Sequence, residues 1–312
     1  MYKNSPKNKL HKMKNKLILL IAVMTFSYGV VTAQSDYFIF SKDGTRIHIQ
    51  EFGKGEAVVF LAGGPGMNAV YMQPVWQRLS KNFRCIILNQ RGTDSSLVAK
   101  VDSASLSMNN YVNDIEALRK HLRLKKITLL GHSWGGMLAM VYLAKEPGSV
   151  KKMVLLDSGG PDTSFAKVFD TNLNKNLTKE DKDEIKRLDS LGFSTARGEW
   201  PGYFYDRKRA LATQSGIPLK KGVLEHHEVF PFTAANYFAF SDSMKSALKK
   251  SKVPVFLIQG REDPMGESTA MDIKKVLPQT FIHFIEKCGH LPWLENEQQV
   301  NEFFEQVEKD WK

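Results

Sequence analysis

Three residues of this 312-residue chain are of the types that together carry nucleophilic chemistry: Ser133, Asp263 and His290. Ser133 stands in Gly131-His132-Ser133-Trp134-Gly135-Gly136, after the run Ile127-Thr128-Leu129-Leu130 and before the apolar run Met137 to Ala144. Strand, glycine-flanked serine, helix is the setting in which G-x-S-x-G marks a nucleophile elbow. Gly131 and Gly135 leave no Cβ to collide where strand and helix pass closely. The turn lifts the hydroxyl to the positive end of a helix. A serine is a poor nucleophile until a base takes its proton and a third group orients that base. His290, in Cys288-Gly289-His290-Leu291-Pro292-Trp293, and Asp263, in Gly260-Arg261-Glu262-Asp263-Pro264, are of those types. Alone, each has an ordinary reading: a serine in a glycine-rich turn, a packed loop histidine, a turn former before Pro264. Together, each just past the carboxyl end of a strand, they read as a triad in the order serine, acid, histidine.

The elements that must position these loops are apolar runs alternating with amphipathic stretches. Tyr37–Phe40, a turn at Lys42-Asp43-Gly44, and Arg46–Gln50 predict a β-hairpin. Val58–Leu61, Cys85–Leu88, the elbow strand, Met153–Leu156, Val255–Ile258 and Phe281–Ile285 predict strands, most of them buried on both faces. Val112, Ile115, Leu118 and Leu122 mark one helix face. Val300, Phe303, Phe304, Val307 and Trp311 mark the stripe of a closing helix, with Asn296 and Gln299 spaced like a capping box. The fold class is α/β, a mostly parallel central sheet with helices on both faces.

Residues 159–250 break that rhythm and predict a helical lid inserted between two core segments, 34–158 and 251–312. Thr178 with Asp181 is spaced as a capping box. Trp200, Tyr203, Phe204, Tyr205, Phe230, Phe232, Tyr237, Phe238 and Phe240 concentrate aromatic surface there, some rings for a pocket and others for the lid's own core.

The net charge of +11 is not a nucleic-acid footprint. Residues 1–33 hold six lysines and no acid; outside them 38 basic residues face 33 acidic ones. Lysines up to Lys16, the apolar run Leu17–Met24 and the small-residue site Val31-Thr32-Ala33 predict a secretory signal over 1–33, with Met1 or Met13 as start. The expected location is therefore periplasmic or extracellular; the alternative is an uncleaved N-terminal anchor. Cys85, within an apolar strand, and Cys288, beside His290, are expected to stay unbonded. Adjacent His226 and His227 could not both face one ion from a helix. No metal and no cofactor are expected.

Three loops narrow the reading: Ala62-Gly63-Gly64-Pro65-Gly66, Asn89-Gln90-Arg91-Gly92-Thr93-Asp94-Ser95 and the elbow. Together they resemble the proline iminopeptidase branch of the α/β-hydrolases; similarity to the wider fold spans about residues 37–310. This chain has Ala62, Asn89 and Asp94 where the family pattern has His, Asp and Gly. The resemblance implies an oxyanion hole from the backbone N–H groups of Gly64 and Trp134, and such an intermediate does require two preorganised donors. It implies an aminopeptidase whose lid acids hold the substrate's α-amine, for which Glu199, Glu225 and Glu228 are the candidates among aromatics. Before Tyr237-Phe238 this chain has Ala234, Ala235 and Asn236, where the family places a glutamate. A carboxylic ester hydrolase or lactonase with the same triad stays open, as does a catalytically silent binding protein. The expected partner is a small peptide, amide or ester.

Overall fold

The computed structural model describes residues 34–93, 95–218 and 226–309. The segment read as a signal, Asp94, Glu225 and Trp311 lie outside the described residues. The expected hairpin forms from Ser35–Phe40 (β1) and Arg46–Phe52 (β2), paired antiparallel with Phe40 opposite Arg46. It turns at Gly44, whose φ of +83° suits a residue without a Cβ. Then follow Glu56–Leu61 (β3), Gln73–Leu79 (α1), Phe83–Leu88 (β4), Met108–His121 (α2), Ile127–His132 (β5), Trp134–Lys145 (α3) and Val150–Leu156 (β6). Beyond β6 come Ser164–Asn176 (α4), Lys179–Ser190 (α5), Ala196–Glu199 (α6), Arg207–Gln214 (α7) and Val229–Lys250 (α8). Val255–Gly260 (β7), Glu267–Val276 (α9), Thr280–Ile285 (β8), Pro292–Glu295 (α10) and Glu297–Lys309 (α11) close the fold.

The sheet order is β1-β2-β4-β3-β5-β6-β7-β8. β2 is antiparallel to its neighbours on both sides, and β4 to β8 run parallel with β3. Every residue of β5 and of β7 is buried, as continuous apolar runs with helices on both faces require. The order reverses where β3 meets β5, with Leu61 opposite Gly131. At such a switch point the loops leaving adjacent strands diverge and open a crevice at the carboxyl ends. Ser133 and the Gly63-Gly64 loop both leave the sheet there.

Thr178 and Asp181 form the expected capping box at the start of α5, each bonding the other's backbone N–H. In α11 half of the expected pair is made, the Gln299 N–H donating to Asn296 Oδ1 at 3.2 Å. Helix α8, at the end of the 159–250 insertion, packs on the core. Val229, Tyr237, Met244 and Leu248 of α8 share one buried cluster with Leu138, Val141 and Tyr142 of α3 and Tyr111 of α2. Its apolar residues recur at helical spacing on the side facing α3, so burial there carries α8 into the main core. α4 to α7 are left as the cover over the strand ends.

Candidate active site

Ser133 sits between β5 and α3 with φ 52° and ψ −117°, a strained conformation for a residue carrying a Cβ. The glycines around it are obligatory. A Cβ on Gly135 would lie 1.9 Å from the Leu61 carbonyl oxygen, and one on Gly131 would lie 2.3 Å from the Gly135 carbonyl oxygen. β3, β5 and α3 therefore pass at backbone contact, and the serine is held at the helix N-terminus by that crowding.

His290 and Asp263 lie where the sequence places them, in the loops after β8 and β7. Asp263 Oδ1 lies 2.8 Å from His290 Nδ1, with both side chains buried. The carboxylate also accepts from the Met265 N–H at 2.9 Å and, through Oδ2, from Gln259 Nε2 at 2.8 Å. The two loops are zipped together. Glu262 N–H donates to the Cys288 carbonyl at 3.0 Å and Cys288 N–H to Glu262 Oε2 at 2.9 Å. The cover clamps the histidine loop through Tyr203, whose carbonyl accepts from His290 N–H at 2.7 Å. The rings of Tyr203 and Phe169 stand 5.5 and 6.3 Å from the imidazole. Glu295 holds the same clamp, accepting from the N–H groups of Gly289 at 2.6 Å and Asp206 at 2.8 Å.

The loop after β3 presses on the serine: a Cβ on Gly63 would lie 2.9 Å from Ser133 Cβ. Gly64 has φ +61°, and Met67 N–H closes the turn onto its carbonyl at 2.8 Å. Among the described residues no protein acceptor pairs with the N–H of Gly64 or of Trp134, the latter being the first amide of α3. Trp134's side chain is structural. Its indole N–H donates to Gln90 Oε1 at 2.7 Å, and Gln90 Nε2 donates to the Ala62 carbonyl at 2.8 Å. One glutamine thus ties the elbow to the Gly63-Gly64 loop.

Sequence reading missed a second tie. Gly63 N–H donates to Tyr71 Oη at 2.6 Å, and Tyr71 O–H donates to His132 Nδ1 at 2.7 Å. His132 Nε2–H then donates to the His290 carbonyl at 3.0 Å. Burial, and next the charge of His290, hold His132 well below its ordinary pKa, so it is neutral and has a single tautomer. The relay spans the β3 loop, the residue before the serine and the backbone of His290. Only the glycine-histidine-serine order hinted at it. Tyr71→Phe strands Gly63 N–H and His132 Nδ1 in a buried site. We expect a loss of about 2–4 kcal/mol in stability and a fall in kcat of roughly 10- to 100-fold. Equilibrium unfolding and steady-state kinetics check both.

Of the three candidate lid glutamates, Glu199 and Glu228 are among the described residues. Glu228 is exposed and lies 3.4 Å from His226 Nδ1, while Glu199 Oε1 accepts from Thr195 Oγ1 at 2.7 Å. The structure brings neither to the triad as a buried, unpaired carboxylate. Cys85 and Cys288 are free, buried thiols. A cavity of about 510 Å³ lies elsewhere, beside β1, lined by Phe38, Phe40, Lys120 and His121, and holds none of the triad residues.

Comparison with known proteins places these loops in a family. The model of the α/β hydrolase fold matches residues 56–297. The chain is 26% identical over 262 residues to a cis-3-alkyl-4-alkyloxetan-2-one decarboxylase of Shewanella oneidensis, covering 80% of this chain and 81% of that protein. It is 26% identical over 278 residues to a proline iminopeptidase of Lactobacillus delbrueckii subsp. bulgaricus, covering 81% and 88%. A proline iminopeptidase-related protein from Thermus thermophilus superposes with a TM-score of 0.68 at 19% identity, covering 87% of this chain and 96% of that one. The sheet order, the reversal at β3/β5 and the matched span agree: the chain belongs to the α/β hydrolase fold family.

Proposed function

We propose that this hydrolase works through an acyl-enzyme, with Ser133 as nucleophile, His290 as general base and acid, and Asp263 orienting the imidazole. The observation that carries the reading is the strained Ser133 backbone at the β3/β5 crevice, in a fold that holds His290 on Asp263 at 2.8 Å. His290 takes the serine proton as the hydroxyl attacks a carbonyl carbon, and returns it to the leaving amine or alkoxide. The N–H groups of Gly64 and Trp134 receive the developing oxyanion, having no other partner among the described residues. Water then repeats the sequence on the acyl-serine.

The three loops and the proline iminopeptidase relatives support an aminopeptidase acting on small peptides or amides. One observation favours a second reading, an ester or lactone hydrolase. A free α-amine is costly to bury without a carboxylate, and Glu199 and Glu228 are engaged elsewhere. A lid lined by Phe169 and Tyr203 suits a neutral acyl group. A panel of free-amine arylamides, N-acylated arylamides, aryl esters and lactones separates the two. A peptidase should lose at least an order of magnitude in kcat/KM when the amine is acylated, and equal turnover of free and acylated arylamides overturns the aminopeptidase assignment. The basic, apolar and small-residue order of residues 1–33 supports export, and N-terminal sequencing of the protein recovered from cells tests cleavage after Ala33.

A further inference from the structure

A second carboxyl group stands behind the triad, and the mechanism above makes no use of it. Asp157 directly follows β6, is fully buried, and has φ +44°, a left-handed conformation that only a few non-glycine residues adopt. The strand ends fix it there, its N–H donating to the Ile258 carbonyl at 2.9 Å. Its oxygens, those of Asp263 and the imidazole nitrogens of His290 supply three atoms that lie within 4.8 Å of one another. Two carboxylates this close in a dry site do not both ionise, since each raises the cost of the other's charge.

The hydrogen bonds decide which one carries the proton. Asp263 accepts from three donors, His290 Nδ1, Met265 N–H and Gln259 Nε2, as a carboxylate does. Asp157 accepts from one, the Gly260 N–H on Oδ1 at 2.8 Å. Its Oδ2 is buried with no donor facing it. A buried oxygen in that position is costly as an acceptor and unremarkable as an O–H.

We propose that Asp157 is a positioning residue that keeps a proton on Oδ2 and donates it in a hydrogen bond to the Asp263 carboxylate, steadying the group that orients His290. No bond breaks; the proton stays on Asp157 throughout turnover. The other titratable groups facing it are consistent with a protonated acid. Burial, and then the charge of Asp263, push the Asp157 carboxyl well above its ordinary range. Burial also pushes up the Cys288 thiol, which stays neutral, and the Glu295 carboxyl, which is satisfied by backbone N–H groups. Among the described residues, the groups that act most on Asp157 besides burial, Asp263, the Gly260 N–H and Glu295, include no cation. The proposal rests on the serine-hydrolase reading for its role in catalysis, but the protonation state can be read without turnover.

The test uses the full chain with Asp157→Asn and Asp157→Ala. Asn keeps a neutral donor, so kcat/KM should stay within a few-fold of the parent and its acid limb should not move. Ala removes the donor; kcat should fall roughly tenfold or more with KM little changed. Difference infrared spectra at neutral pH should show a protonated-carboxyl C=O band in the parent that Asp157→Asn lacks. Thermal unfolding gives a third readout with a definite sign. The unfolded carboxyl titrates near pH 4 and the native one much higher, so between them the native state holds a proton that the unfolded state has lost. Parent stability then falls as pH rises through that window. The midpoint of Asp157→Asn minus that of the parent should therefore grow from about pH 4 to 8. An acid limb displaced by about one unit or more in Asp157→Asn, a flat midpoint difference or no infrared band would overturn the proposal. Should Asp157→Ala fail to fold, Asp157→Asn decides alone. Activity surviving in Ser133→Ala would sink the triad reading while leaving the infrared and unfolding results to stand or fall separately.

Discussion

Ser133→Ala and His290→Ala are each expected to lower kcat by about 10⁴ to 10⁶, because triad members act as one unit and losing either leaves little for the others to do. The structure gives the reason the loss cannot be made up locally. No second hydroxyl can take the elbow: the strained φ of 52° at Ser133 is imposed by backbone contact at Gly131 and Gly135, and that crowding admits one residue. Asp263→Asn should cost less, on the order of 10³ to 10⁴. Asn can still accept at one oxygen but turns a donor toward either His290 Nδ1 or Gln259 Nε2. Kinetics on the best substrate of the arylamide and ester panel measure all three. Folding is checked in parallel: Ser133→Ala keeps the Cβ and the strained backbone and loses only a hydroxyl, so its stability should stay within about 1 kcal/mol of the parent. A Ser133→Ala protein that retains more than a few per cent of activity on every substrate would end the covalent mechanism.

The second large effect concerns stability. Arg91, in the Asn89-Gln90-Arg91-Gly92 motif, is completely buried. It clamps Asp114 of α2 with two bonds of 2.7 and 2.6 Å, and reaches Asp43 of the β1–β2 turn at 2.9 Å and the Ser105 carbonyl at 2.7 Å. Burial works against ionising Asp43, yet Arg91 pulls that carboxyl down to about 2. Burial also pushes Asp114 up, and the paired guanidinium opposes the rise. Arg91→Met should cost roughly 3–5 kcal/mol, because Asp114 is left as an uncompensated buried charge. That corresponds to a drop in Tm on the order of 10 °C. Arg91→Met with Asp114→Leu should recover much of the loss, since two apolar side chains leave no stranded charge. Urea or thermal unfolding of the two variants decides it. A single mutant within about 1 kcal/mol of the parent would show that solvent reaches the pair and that its burial has been misjudged. The motif is therefore a structural brace for the loops around the crevice, and its neighbour Gln90 does the same work at closer range to the serine.

How the chain reads before folding depends on the distance over which each feature is encoded. The sequence alone determines the elements: β3, β5 and β7 are continuous apolar runs, α2 and α11 show helical spacing, and glycine on both sides of Ser133 signals a turn that no Cβ could enter. These are local, because a strand's burial and a turn's steric demand are written in adjacent residues. The order serine, acid, histidine also determined which loops to join, since parallel strands all end on one side of a sheet. Only the tertiary structure decided how the loops are held. The relay from Gly63 through Tyr71 and His132 to His290 joins residues up to 158 positions apart in the His132–His290 step. Arg91 meets Asp114 across 23 residues. Gln90, Asp157 and Glu295 acquire partners only when particular strand ends become neighbours. The same holds for the lid glutamates: Glu199 and Glu228 stand among aromatics in sequence, but the direction in which a carboxylate points depends on the packing of α6 and α8. Helix α8 belongs to the main core because its apolar stripe meets α3, a partner nearly a hundred residues away that no local pattern can name.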